Sequence, residues 1–192
     1  RFVGQIVTSS ILFDPRERYT STGPGTDEVS DLETVAVHEI GHFLGLDHSG
    51  VVRAVMFPAS PESQRILSYD DVAGLAVLYP KGGGGPCAPG ADVPTGCISG
   101  TVRTATGNPT FGAHVYADSV TATEAFRSFG IRKSPISTAT RPDGSYIIEG
   151  VPPDAYIVIA EPLDEPMENG DIDWAQAFAQ NAVQTNFTTR WH

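Results

Sequence analysis

"HEIGHFLGLDHS", residues 38–49, places three of the chain's five histidines and one glutamate within eleven residues. The preceding run, "SDLETVAV" (30–37), has helical texture, with Ser30 and Glu33 spaced as a capping box. On a helix, His38 and His42 stand one turn apart and face the same side, so their imidazoles can share one metal ion. Gly45, three residues after His42, is read as the helix stop, because glycine takes the left-handed conformation that ends helices at little cost. The chain can then fold back and bring His48 up as a third ligand. Three neutral nitrogens leave the fourth position of tetrahedral Zn²⁺ open, the arrangement of a catalytic rather than a structural site.

Glu39 completes the pattern. It stands beside the first ligand and can reach a coordinated water without being a ligand itself. Zinc lowers the pKa of such a water from about 15.7 to about 7. Glu39 would take its proton and deliver it to a leaving amine, while the metal stabilises the developing oxyanion. Five positions are fixed, and at roughly 5% per residue type chance gives well under about one such match in a thousand chains of this length. Scattered core or surface histidines are the competing reading, and a metal site without catalysis would be plausible only if Glu39 were missing.

Working outward, "PKGGGGPCAPGADVPTGC" (80–97) is the clearest boundary, since four consecutive glycines are too costly in backbone entropy for an element interior. The chain divides into residues 1–80, a Gly/Pro-rich linker at 81–97 and residues 98–192. Cys87 and Cys97 lack the paired short spacing of a zinc ribbon. They read as a disulfide, which closes a short loop worth at most about 3 kcal/mol and implies an oxidising compartment; two unrelated thiols are the alternative. Before the boundary, "GQIVTSSILFD" (4–14) is β-branched enough for a strand. "SYDDVAGLAVLY" (68–79) reads as a helix opening on Ser68, with Asp70 and Asp71 in its first turn. After it, "CISGTVRT", "GAHVYAD", "GSYIIEG" and "AYIVIAEPL" are short strand candidates between turns such as "RPDGS". The expected class is α+β, with a small antiparallel sandwich as the second half.

A formal net charge of −11 argues against nucleic acid as partner. No apolar run is long enough to span a membrane, and the opening "RFVGQIV", without an initiator methionine, reads as a mature form or an excerpt.

The motif "HEIGHFLGLDHS" resembles the zinc-binding motif of the metzincin metalloendopeptidases, and Ser49 after the third histidine resembles the matrixin branch. "AVMFP" (54–58) resembles the family's Met-turn, which makes Met56 the methionine beneath the ligands. "LSYDDVAGLAVLYP" (67–80) is similar to the matrixin C-terminal helix, whose acidic pair contacts that turn, so the resemblance implies structural roles for Asp70 and Asp71. It covers roughly residues 11–80 and departs in three places. Leu12 stands where a histidine of a second, structural zinc is usual. Asp14 and Glu17 match positions of Ca²⁺ ligands, but the loop supplying the others is lacking, so a plain surface acid pair is the favoured reading over calcium. Ser60 replaces the tyrosine of the specificity-pocket wall.

The helix at 32–45 also needs cover for Val35, Ala36, Ile40, Phe43 and Leu44. Matrixin catalytic domains supply it from an upstream sheet, which implies about a hundred further residues before Arg1. The strands that pair with an extended substrate would lie there, so residues 1–192 alone are expected to show little or no proteolysis.

"ISGTVRTATGNPTFGAHVYA" and "TATRPDGSYIIEGVPPDAYIVIAEPL" resemble carboxypeptidase-regulatory-like, transthyretin-like β-sandwich modules over residues 98 to about 165. His114 and His192 read as ordinary surface or half-buried residues. The six acids of "EPLDEPMENGDID" (161–173) read as a solvated loop rather than a Ca²⁺ site. "DWAQAFAQNAV" reads as a short helix, Asn186 opens a glycosylation sequon, and "NFTTRWH" reads as a strand cut short. Together the resemblances imply a secreted, extracellular or cell-surface zinc endopeptidase acting on protein or peptide substrates and carrying an accessory sandwich, with oligomeric state open. The competing class is an adhesion protein whose protease half is vestigial; intact Glu39, His38, His42 and His48 speak against it.

Overall fold

In the computed structural model, residues 8–26, 28–59, 64–80, 87, 95–121, 130–131, 133–163, 188 and 190–191 are described. Helix α1 (Leu32–Phe43) is capped by Asp31, not Ser30. The Asp31 carboxylate accepts the Glu33 N–H at 3.3 Å and the Thr34 hydroxyl at 2.7 Å. It also takes Arg65 with both oxygens, Nε at 2.7 Å and Nη2 at 2.8 Å. A serine could cap the helix but could not hold a guanidinium. Glu33 is drawn the same way, to Arg65 Nη1 at 3.0 Å, rather than back onto the cap. Ser30 instead joins a short parallel pairing of β1 (Tyr19–Thr20) with β2 (Ser30–Asp31).

The Arg65 bonds hold the Asp31 carboxyl well below its ordinary value of 3.8, against the opposing effect of burial. A depressed carboxylate adds stability that is fully present above the unfolded value and lost as pH falls toward the folded one. The melting temperature is therefore expected to drop between about pH 5 and about pH 3, and to drop less in Asp31→Asn. Parallel profiles for the two proteins would rule out this contribution.

At its other end α1 stops as the sequence indicates. Gly45 has φ of 95°, and the Gly45 and Leu46 N–H groups reach back to the His42 and Gly41 carbonyls at 2.9 and 3.0 Å. These paired bonds satisfy carbonyls the helix would otherwise leave open and turn the chain sharply.

The strand expected at 4–14 does not form over residues 8–14, and residues 4–7 lie outside the described ones. No neighbouring strand pairs with this segment among the described residues, so its ladder groups gain nothing by extension. Leu12 is 91% exposed. Ile40 and Phe43 on α1 are exposed too, and the described residues do not supply the cover their apolarity calls for.

Helix α2 (Tyr69–Leu78) opens with Ser68 and Asp71 in a reciprocal capping box. Beyond it, β3 (Gly96–Thr101) pairs antiparallel with β6 (Ser145–Val151). A second sheet runs in the order β5 (Ile136–Ala139), β4 (His114–Ser119), β7 (Tyr156–Glu161), β8 (Arg190–Trp191), with all pairings antiparallel. Strand β5 is additional to those read from sequence. The core joins Val115, Ala117, Ile136, Ile148 and Val151 of the strands to Tyr69 and Ala73 of α2. The close approach is made at Gly150, with φ of 69°, where a Cβ would fall 3.0 Å from the Ala73 carbonyl oxygen. Helix α2 thus serves the β-strands as well as the segment that precedes it. Cys87 and Cys97 are joined as a disulfide, with Cα atoms 5.1 Å apart. The remainder of the linker before residue 95, the acidic run beyond residue 163, the helix expected at 173–183 and His192 lie outside the described residues.

Candidate metal centre

His38 and His42 project from successive turns of α1, their ring centroids 4.7 Å apart. Each has its Nδ1 against a backbone carbonyl: His38 against Val55 at 2.7 Å and His42 against Leu46 at 2.9 Å. A carbonyl only accepts, so each Nδ1 carries the proton and each Nε2 keeps a lone pair for another partner. The turn at Gly45 returns the chain so that the His48 ring lies 5.3 Å from His38 and 4.8 Å from His42. One donor atom from each of the three lies within 4.8 Å of the others, and all three residues are half-buried. Burial pushes the pKa of His38 down, reinforced by the nearby His42 and His48 and opposed by the Val55 bond and Glu39. The neutral ring thereby favoured is the form that binds a metal. Three imidazoles, two of them with the tautomer set by a carbonyl, are a donor set that fits zinc.

Glu39 lies between the first two histidines on α1, half-buried and outside the three-histidine cluster, close enough for its charge to act on His38. Met56 is 2% exposed and lies beneath the helix at Gly41, where a Cβ would fall 2.2 Å from its Sδ. Only glycine leaves room for the sulfur there, a requirement the sequence reading missed because glycine inside a helix looks like a weak point rather than a contact.

The turn that holds Met56 also presents the Val55 carbonyl to His38, and Asp71 fixes it. The buried Asp71 carboxylate accepts the N–H groups of Val55 at 2.9 Å, Met56 at 3.1 Å and Ser68 at 2.7 Å. Asp70 points elsewhere: it accepts the Ser49 hydroxyl at 2.5 Å and the Ser137 N–H of β5 at 2.6 Å. Burial pushes its pKa up to about 6, against those two bonds.

Asp14 gives both carboxylate oxygens to Arg16. Among the described residues neither it nor Glu17 joins a cluster of donor groups. Position 60 lies outside the described residues. His114, read as an ordinary surface or half-buried residue, is buried at 7% exposure. Its ring sits against the loop that follows His48, a long-range contact with no sequence signal. A cavity of about 400 Å³ lies among this loop, α2, β5 and β6, with Asp70, His114 and Glu149 on its wall.

With this geometry in view, residues 1–80 match the family model described as Matrixin. Metalloendoproteinase 1 of Glycine max is 45% identical over 73 residues, 35% of this chain and 24% of that protein. Metalloendoproteinase 5-MMP of Arabidopsis thaliana is 53% identical over 66 residues, 32% of this chain and 18% of the relative. Stromelysin-1 of Mus musculus is 44% identical over 80 residues, 40% and 16% of the two chains. The match thus spans a quarter or less of the length of these relatives. No solved structure matches the chain.

Proposed function

We propose that residues 1–80 form a matrixin domain, the ligand-bearing part of a zinc-dependent endopeptidase. The observation that carries this is the convergence of His38, His42 and His48, with carbonyls holding the first two in the metal-binding tautomer. Zinc bound there would supply Lewis acidity to a water and to the scissile carbonyl. The three imidazoles would hold the ion, and the Met56 turn would keep His38 in orientation. Glu39 is the general base: a carboxylate oxygen takes the proton of the attacking water and passes it to the departing amine nitrogen. The names of the two plant relatives, both metalloendoproteinases, support a protease acting on peptide bonds.

Further parts of the reading rest on separate observations. The Cys87–Cys97 disulfide supports an extracellular location. Residues 81–97 act as a linker, and the strands from β3 onward form an accessory module, a β-sandwich on the alternating burial of β4 and β6. Exposed Ile40 and Phe43 support further strands completing the catalytic domain. Calcium has no part in this reading, since Arg16 occupies the Asp14 carboxylate.

Metal analysis tests the centre directly. The purified complete protein is expected to hold one zinc for each three-histidine cluster and to lose it on His42→Ala. Zinc retained at full stoichiometry in that variant would exclude His42 as a ligand and overturn the reading.

A further inference from the structure

The loop that carries His48 is gripped by the C-terminal strands. Ser49 donates its hydroxyl to Asp70 Oδ2 at 2.5 Å, and Asp70 Oδ1 accepts the Ser137 N–H at 2.6 Å. One carboxylate therefore ties the residue after His48 to the edge strand β5. From the neighbouring strand β4, His114 lies against Gly50. A Cβ at Gly50 would fall 2.8, 3.0 and 3.1 Å from Nε2, Cε1 and Cδ2 of that ring. The ring cannot swing aside freely, because its Nδ1 lies 3.0 Å from Glu161 Oε1 on β7. Its Nε2 is buried without a hydrogen-bond partner. Burying an unbonded ring nitrogen is costly, and the structure accepts that cost where the ring is wedged against the loop.

We infer that the β5–β4–β7 sheet is a positioning element for the third metal ligand: His114 and the Ser137 N–H, acting through Gly50 and the Asp70–Ser49 bridge, set where His48 stands. This rests on the zinc reading above. The sheet holds the loop in the place where the His48 ring meets the other two, so that little ordering is left for metal binding to impose. The two contacts come from neighbouring strands of one sheet, so losing either leaves the loop held by the other alone.

Zinc affinity, measured by chelator competition on the complete protein, and the visible spectrum of the Co²⁺-substituted form test this without any activity assay. Gly50→Ala forces the His114 ring off the loop and is expected to weaken zinc binding by about tenfold and shift the cobalt bands. His114→Ala alone removes the ring that Gly50 packs against and should likewise weaken zinc binding. Ser137→Pro removes the N–H given to Asp70 on an edge strand, where proline costs no ladder bond, and should weaken zinc binding to a similar degree. If Gly50→Ala does not fold, Ser137→Pro carries the same comparison. Wild-type affinity and an unshifted spectrum in the variants, even with a lowered melting temperature, would overturn the inference and leave the zinc reading standing. A wild-type protein that takes up no zinc would overturn both.

Discussion

Glu39→Gln is expected to lower kcat/KM on a denatured protein substrate by about 10²–10⁴-fold in the complete protein, with zinc content unchanged. Glutamine keeps the shape and the half-buried position beside His38 but cannot take a proton from water. It is no member of the histidine cluster, so the metal should stay. Loss of turnover with full zinc occupancy separates the base from the ligands, which His42→Ala would remove together with the metal. The readout is kcat, since a proton-transfer role acts in the transition state rather than in substrate binding. Activity within about tenfold of wild type would assign the base to another group.

Asp71→Ala should be the most destabilising single change in the domain. Three backbone N–H groups, those of Val55, Met56 and Ser68, converge on this one buried carboxylate. Each donor left buried and unbonded costs about 1–3 kcal/mol, so about 3–5 kcal/mol in total is expected after some relaxation. For a chain of this size that corresponds to a fall in melting temperature of roughly 10 °C. Because the same turn offers the Val55 carbonyl to His38, zinc affinity should fall as well. Asp71→Asn should lie between, since the amide keeps one acceptor oxygen and turns its NH₂ toward a donor. A melting temperature within about 2 °C of wild type in Asp71→Ala would show that water or backbone movement satisfies the three donors.

The two variants draw on information of different range. Glu39 and its neighbours are legible because a helix repeats every 3.6 residues: the spacing of His38 and His42 fixes their common face whatever surrounds them. Gly45 is legible for the same reason, since its φ of 95° is a local demand. The Ser30 cap was misread because a local signal lost to a distant one, Arg65 drawing both Asp31 and Glu33. The strand expected at 4–14 does not form over residues 8–14, because β-propensity means little without a paired neighbour. Strand β5 escaped notice because an edge strand of four residues, two of them Ser137 and Thr138, leaves little pattern.

By itself the sequence determined the donor set, the order of the three histidines and the glutamate beside the first, because these follow from residue identity and the pitch of one helix. The tertiary structure alone decided which ring nitrogen faces inward, through the carbonyls of Val55 and Leu46. It also decided that Asp71 secures the methionine turn while Asp70 reaches across to β5, and that His114 closes on Gly50. Those outcomes depend on groups up to 67 residues apart meeting at hydrogen-bond distance, and no local periodicity carries that information.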